Sequence, residues 1–320
     1  MTKNVYSALL IGLGDIGLNY DLSIDRNIYV QTHASSLSLH KGFELLAGVD
    51  INPDACKKFT KEYSINAFTS INDALTHNKP DLIILAVPTA SQNVVLNKII
   101  SLHIPKAILC EKPMGTDLAN GERILNTCKK NDISLYVNYI RRCLPESLEV
   151  KDRIQKNIMK TPMKSIIWYS KGIAHNGAHF INLLEYWFGK AIEIITFDKG
   201  REFNNYGFEP LIGIKFDNCE VIMVPAWEEF YSHYTIEIIS SSGRLYWNNE
   251  KLIWNSVAKT HNLNEHRYLS NNLEYIKTES NKYQMHVLNA LHDAMIGKDS
   301  SICNGDEALQ TLKTINQILS

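Results

Sequence analysis

A glycine-rich loop near the start of the chain has the spacing of a pyrophosphate-binding turn. It follows the apolar run at residues 5–11, which is typical of a strand, and its G-x-G-x-x-G glycines are Gly12, Gly14 and Gly17. These glycines permit a tight turn, close approach of a phosphate and close packing of a following helix, whose N-terminal amides face the phosphates. We therefore expect the loop, including Asp15 and Ile16, to hold a dinucleotide pyrophosphate. The Asp15 side chain is expected to face solvent or the positive end of the helix dipole.

An acidic residue closes the next predicted strand. Asp50 ends the segment LLAGVD, and a carboxylate at this position accepts hydrogen bonds from both ribose hydroxyls of NAD. It would repel the 2′-phosphate of NADP, and the neighbouring Ile51 offers no basic group, so NAD is favoured over NADP. The alternative is that Asp50 only caps the helix that begins at Pro53, a role for which Asn52 is better placed.

The spacing between loop and acid is unusually long. Gly12 and Asp50 are 38 positions apart, where the simple fingerprint has about 20. The excess lies in residues 18–30, LNYDLSIDRNIYV, which have weak helical periodicity. We interpret them as an insertion at the first turn, with the helix proper starting near Thr32. The insertion is either a lid beside the cofactor phosphates or a passive surface excursion.

The elements that must position these residues fall into two patterns. Short apolar runs alternate with helical patterns up to about residue 140, which indicates a parallel sheet with helices on both sides. After about residue 145, strand follows strand, which indicates an antiparallel sheet. We predict an α/β protein with a doubly wound Rossmann domain (1–142) and a second α/β domain with a largely antiparallel open sheet (143–320). The last helix can pack back on the first domain.

Composition excludes several classes of protein. The 320 residues carry 33 Lys+Arg against 34 Asp+Glu, so there is no basic surface for nucleic acid and no polybasic membrane patch. The apolar runs are too short to span a bilayer, and the N-terminus lacks the features of a signal peptide. Six cysteines without C-x-x-C spacing indicate reduced thiols in a cytoplasmic protein.

Two further motifs carry a resemblance to a known family. Residues 109–120 (LCEKPMGTDLAN) place Glu-Lys-Pro after a strand, and residues 172–184 (GIAHNGAHFINLL) resemble a Gly-x-His helix. These motifs resemble the Gfo/Idh/MocA family of glucose–fructose oxidoreductases and inositol dehydrogenases. The resemblance covers essentially the whole chain, because it extends to residues 86–95 (AVPTASQNVV), 137–142 (VNYIRR) and 301–318 (SICNGDEALQTLKTINQI). The resemblance implies hydride transfer between NAD(P) and a secondary alcohol or ketone of a sugar, sugar derivative or cyclitol. It also implies a homodimer or homotetramer built on the open sheet.

The resemblance further implies a set of site residues. Lys112 is expected to contact the nicotinamide ribose and the substrate hydroxyl, and to carry a proton near neutral pH if burial and a nearby cation lower its pKa. The alternative for Lys112 is an exposed lysine. His179 acts as, or assists, the acid/base. The other cofactor contacts expected are Pro88, Thr89, Gln92 and Glu111. The other substrate contacts expected are Asn138, Arg141, Arg142 and Asn176.

Two positions depart from the family pattern. His175 stands where many members have an aspartate, and Gln92 stands where the family often has a histidine. If His175 and His179 lie on one helix they share a face, so His175 either orients His179 or shares its catalytic role. A metal held by this pair has weak support without an acidic ligand nearby, and we expect no metal. The departures keep open a second function, a catalytically silent protein that senses the cofactor or a sugar.

Overall fold

The computed structural model describes residues 5–248, 250–258 and 266–320. The chain divides into two compact units. The first unit comprises the chain up to Cys143 together with Asn281–Leu312, and the second comprises Leu144–Ser280 and Lys313–Ser320. The first boundary lies one residue from the predicted end of the Rossmann domain, and the chain later returns to the first unit.

The strands alternate with helices in the first half of the chain and follow one another in the second. In chain order they are β1 (Tyr6–Ile11), β2 (Phe43–Val49), β3 (Ala67–Phe68), β4 (Leu82–Leu85), β5 (Ala107–Cys110), β6 (Ser134–Val137), β7 (Met163–Tyr169), β8 (Glu193–Asp198), β9 (Leu211–Lys215), β10 (Cys219–Pro225), β11 (Thr235–Ser240), β12 (Gly243–Asn248), β13 (Leu252–Ser256), β14 (Glu274–Ile276) and β15 (Cys303–Asn304).

The α-helices, in chain order, are α1 (His33–Leu39), α2 (Pro53–Tyr63), α3 (Ile71–His77), α4 (Thr89–Leu102), α5 (Leu118–Lys130), α6 (Pro145–Gln155), α7 (Ala178–Phe188), α8 (Tyr283–Met295) and α9 (Gly305–Leu319). Two short π-helical turns cover Asp15–Asn19 and Gly172–Gly177. Among the residues described, none of the helices has the length and apolar character to cross a bilayer.

The first unit is built on a seven-stranded sheet in the order β15-β6-β5-β4-β1-β2-β3. All neighbours are parallel except β15, which runs antiparallel to β6. The central strands β4 and β5 are buried along their whole length, which explains why they consist of unbroken apolar runs. This sheet confirms the predicted doubly wound fold. The order of β5, β4 and β1 also brings the ends of these three strands to one edge.

The second unit is built on an eight-stranded sheet in the order β14-β13-β12-β11-β7-β10-β9-β8. Its neighbours are antiparallel except for β7 and β10, which are parallel. Side chains along β7 alternate between buried and exposed, so one face of the sheet forms a core. The other face exposes large apolar side chains, namely Ile166, Trp168, Ile195, Phe197 and Ile222. The largely antiparallel sheet was predicted. The helix α6, the strands β13 and β14 of this sheet, and the strand β15 of the first sheet were not predicted.

The aromatic residues of the second unit include both buried and exposed side chains. Trp247 is 1% exposed and packs on Trp187 with ring centroids 5.8 Å apart, so it belongs to the core of the second unit. Trp227 and Tyr231 are exposed. All six cysteines are free and buried.

Candidate functional site

The glycine loop is shaped by close backbone contacts. Gly12 has a φ of +100°, and a Cβ on it would lie 2.3 Å from the Ala86 carbonyl oxygen. A Cβ on Gly17 would lie 2.1 Å from the Gly12 oxygen. A Cβ on Gly14 meets nothing within 4 Å. The first and third glycines are therefore required by the protein's own backbone, while the second keeps open the space in front of the loop.

A cavity of about 550 Å³ lies beside this loop, within the first unit. Its lining includes Gly12, Gly14, Asp50, Ala86, Pro88 and Ser91. Pro88 precedes α4, and Thr89 is the first residue of that helix. Asp15 is exposed, and its carboxylate accepts a hydrogen bond from Asn19 in the π-helical turn. The open approach at Gly14 and the acid in the same cavity fit the phosphates and ribose of a dinucleotide.

The Asp50 carboxylate is fixed by two backbone amides. Its Oδ2 accepts a hydrogen bond of 2.7 Å from the Leu13 amide, and its Oδ1 accepts one of 2.8 Å from the Asn52 amide. A carboxylate has about four lone-pair sites, so two remain for the ribose hydroxyls. The helix α2 is capped by Asn52, whose Oδ1 accepts from the Asp54 amide. The structure thus confirms that Asn52 provides the cap.

Gln92 holds the loop that carries Lys112. It is fully buried on α4, and its Nε2 donates to the carbonyls of Glu111 (2.7 Å) and Pro113 (3.2 Å). Its Oε1 accepts from the Gly115 amide at 2.8 Å. The side-chain amide that we expected to contact cofactor is therefore engaged by the protein backbone. Its position supports a role in fixing the loop.

Glu111 lies at the centre of a buried polar cluster. Its Oε1 is 2.7 Å from His33 Nε2 and accepts a hydrogen bond of 2.6 Å from Asn138 Nδ2. Burial tends to raise the pKa of the carboxyl, but the hydrogen bond and charge of His33, the hydrogen bond of Asn138 and the charge of Lys112 outweigh it and lower the pKa. Glu111 is therefore ionised at neutral pH. Asn138, expected to contact substrate, is 1% exposed and contacts Glu111 instead.

Sequence reasoning did not single out His33. It follows Thr32, whose side chain caps α1 by accepting from the Ser35 amide. The fully buried Asp21 accepts hydrogen bonds from the amides of Gln31 and Thr32 and from the Thr32 hydroxyl. These bonds close residues 21–32 into a loop, and α1 begins at His33 with Thr32 as its N-cap, which agrees with the predicted helix start near Thr32. The feature of the sequence that could have drawn attention to His33 is its place directly after Thr32, where the helix was predicted to start.

Of the two arginines after β6, Arg142 departs from the expected contact with substrate. Arg142 is 3% exposed, and its guanidinium forms an ion pair of 2.8 Å with Glu307 of α9, within the first unit. This contact favours a structural role over substrate binding. Arg141, its neighbour on the short helix Ile140–Cys143, is partly buried.

The two histidines of the second unit do not share one α-helix. His175 lies on the π-helical turn that precedes α7, is exposed, and packs on Tyr206 with ring centroids 4.9 Å apart. His179 lies in the first turn of α7 and is 8% exposed. Asn176, between them, is partly buried. The spacing argument assumed a continuous helix, and the wider π-helical turn changes the relation between the two rings.

Comparisons with known proteins identify similar oxidoreductases. Residues 8–139 match the model of the oxidoreductase family with an NAD-binding Rossmann fold, GFO_IDH_MocA. A D-xylose 1-dehydrogenase [NADP(+)] of Haloarcula marismortui is 27% identical over 113 residues, which cover 32% of this chain and 28% of that relative. The aligned part is therefore well under two thirds of the relative's length.

Solved structures share the fold of both units. The dehydrogenase MviM of Clostridium difficile superposes with a TM-score of 0.76 at 17% identity, covering 98% of each chain. The WlbA dehydrogenase of Bordetella pertussis, in complex with NADH and UDP-GlcNAcA, superposes with a TM-score of 0.72 at 16% identity, covering 99% of this chain and 95% of that one. At these identities the likeness is one of fold.

Proposed function

Because residues 8–139 belong to the Gfo/Idh/MocA family of NAD-binding oxidoreductases, we propose that this protein transfers a hydride between nicotinamide and a secondary alcohol or ketone. The substrate class is a sugar, a sugar derivative or a cyclitol. One observation carries the proposal. The glycine loop after β1 and the Lys112 loop after β5 leave the same edge of one parallel sheet, where doubly wound folds bind their ligands. The sugar dehydrogenases among the relatives support the substrate class.

Different residues are proposed to carry out proton transfer and positioning in this reaction. A dinucleotide held by the glycine loop and Asp50 would supply the hydride acceptor for the alcohol carbon, or the hydride donor in the reverse direction. In the oxidative direction the alcohol oxygen also loses a proton, which Lys112 Nζ is proposed to accept. His179 is proposed to act as, or assist, the acid/base on the substrate, with His175 orienting it or sharing its role. Gln92 keeps the lysine-bearing loop in place through its three backbone hydrogen bonds.

An assay with a broad substrate panel tests the proposal. The protein is incubated with NAD and a series of cyclitols, aldoses and sugar acids, and NADH absorbance is recorded. Turnover of at least one of these is the expected result. Silence across the panel together with tight NAD binding would favour a protein that senses the cofactor or a sugar.

We further propose NAD as the preferred cofactor. Replacing Asp50 by serine is expected to narrow the preference for NAD over NADP, because the carboxylate that repels a 2′-phosphate is lost. The ratio of the two dissociation constants, measured by titration, checks this. Asp54→Ser, which removes an exposed acid from the first turn of α2, is the matched control. An unchanged ratio in Asp50→Ser would reduce the acid to a structural role in the loop.

The exposed apolar face of the second sheet is proposed to join subunits into a homodimer or homotetramer. A contiguous apolar face of this kind is typical of an interaction surface. Ile222→Arg, at the centre of the face, is expected to shift the protein towards the monomer in sedimentation experiments. Val94→Arg, on an exposed part of α4, should leave the mass unchanged. An Ile222→Arg protein with the wild-type mass would contradict this assignment.

A further inference from the structure

A histidine–carboxylate pair lies behind the Glu-Lys-Pro loop of the first unit. The His33 side chain is fully buried, the Glu111 side chain is 15% exposed, and 2.7 Å separate His33 Nε2 from Glu111 Oε1. Among the residues that the structure describes, His33 Nδ1 has no hydrogen-bond partner although it is buried. The proposed reaction, as described above, gives this imidazole no role.

The contact fixes which ring nitrogen carries hydrogen. An ionised carboxylate can only accept hydrogen bonds, so His33 Nε2 must donate to Glu111. The neutral ring then leaves only a lone pair at Nδ1, whereas a second proton there would be buried without an acceptor. A proton added at Nδ1 would convert this ring to an imidazolium. The neutral ring holds the carboxylate by a hydrogen bond, and the imidazolium also cancels its charge.

The groups around Glu111 come from α1, from β5 with the loop that follows it, from the end of β6 and from α8. Lys112 is adjacent in the chain, Asn138 is a neutral donor after β6, and His33 comes from α1. Burial, together with the charge of Glu111, raises the pKa of the Cys110 thiol. Burial raises the pKa of the Tyr283 hydroxyl on α8, and negative charge on Tyr20, Asp21 and Glu111 adds to the effect. Both groups stay protonated at physiological pH, so neither adds a charge beside Glu111.

We propose that His33 is a positioning residue for the reaction of Lys112. Its imidazole holds the Glu111 carboxylate, and the proton it carries decides whether a net negative charge stands next to the lysine. With His33 neutral, the carboxylate favours the ammonium form of Lys112. With His33 protonated, that charge is cancelled and the lysine releases its proton more readily.

The insertion at residues 18–30 is what fixes His33 in this place. Asp21 binds the amide and the hydroxyl of Thr32, and Thr32 caps the helix that His33 begins. The insertion is also attached to the segment before α8, since the Val30 amide donates to the Asn281 carbonyl at 3.0 Å. The position of the imidazole is therefore set by a closed loop rather than by a mobile side chain.

A titration by NMR tests the coupling without any substrate. The histidine ring resonances of the full-length protein are followed with pH. The resonances of His33 are identified as those missing from the spectrum of His33→Gln. In Lys112→Met the midpoint of the His33 titration is expected to rise by roughly 0.5–1 pH unit, because a nearby cation has been removed. In Glu111→Gln it is expected to fall, because the ring loses its carboxylate partner. His77→Gln, an exposed histidine on α3, should change neither.

Kinetics provide the second readout. Glutamine at position 33 can donate a hydrogen bond from its amide but cannot titrate. His33→Gln is therefore expected to retain its affinity for NAD and to lower kcat on the order of 10-fold, less than the ~10² or more of a direct proton donor. Its profile of kcat/KM against pH should differ in shape from that of the wild-type protein, because residue 33 no longer binds a proton while His179 is unchanged.

The outcomes separate this proposal from the proposed function on which it rests. If the His33 midpoint is the same in Lys112→Met and the wild type, the two residues are not coupled and the proposal is wrong, whether or not Glu111→Gln folds. If His33→Gln folds and its pH profile superposes on that of the wild type, the imidazole has only a structural role. A wild-type protein that is silent on all substrates contradicts the proposed function, while the NMR result still decides the coupling.

Discussion

Replacing Lys112 by methionine is expected to lower the rate of hydride transfer by about 10²–10⁴ while NAD still binds. Methionine keeps an unbranched side chain of similar length but cannot accept or donate the proton at the reacting oxygen. The loop should retain its place, because Gln92 holds it through backbone groups of Glu111, Pro113 and Gly115. Single-turnover kinetics and an NAD titration of the same variant separate the chemical step from binding.

The matched control for this variant lies at the other end of the same strand. Lys106 precedes β5, is exposed, and pairs with Asp81 at 2.9 Å. Lys106→Met removes one lysine from the same region and is expected to leave the rate unchanged. Full activity in Lys112→Met would remove Lys112 from the chemistry and leave the proton transfer to other groups.

A second large effect is expected from two substitutions in the glycine loop, one of which should lower stability and the other the affinity for NAD. Gly12→Ala is expected to destabilise the first unit by about 1–3 kcal/mol for the positive φ alone, and further because the new Cβ would meet the Ala86 carbonyl at 2.3 Å. Gly14→Ala meets no protein atom within 4 Å and its φ is −76°. It should therefore unfold like the wild type while binding NAD much more weakly, because the methyl group occupies the approach of the pyrophosphate.

Urea unfolding and NAD titration of both variants check this pair. The expected pattern is a loss of stability in Gly12→Ala and a loss of affinity without a loss of stability in Gly14→Ala. If Gly14→Ala binds NAD as tightly as the wild type, the cavity beside the loop is not the pyrophosphate site.

Much of the first unit could be predicted because its signals are local. Asn52 with Pro53 marks the start of α2, and the unbroken apolar run at β4 marks a strand covered on both faces. The glycine loop and Asp50 lie in one cavity, as their motif requires. In each of these segments the local sequence is sufficient to determine the local structure.

The contacts that could not be predicted join residues far apart in the chain. His33 and Glu111 are 78 positions apart, and Gln92 reaches the carbonyl of a residue 19 positions away. Arg142 finds Glu307 across 165 positions. Nothing in the local sequence of these residues specifies such partners. The π-helical turn before α7 escaped prediction for a different reason, since it follows neither of the periodicities that distinguish a helix from a strand.

The return of the chain to the first unit sets an order for its biosynthesis. Side chains of α8 and the segment after it, among them Val287, Leu288, Leu291 and Ile302, pack in the same apolar core as Leu10 and Leu82. When the ribosome has released the residues up to 143, this core lacks part of its covering. The nascent chain must carry that exposed apolar surface until residues 281–302 have also been translated. Chaperone demand and aggregation during expression should therefore be greatest in this interval.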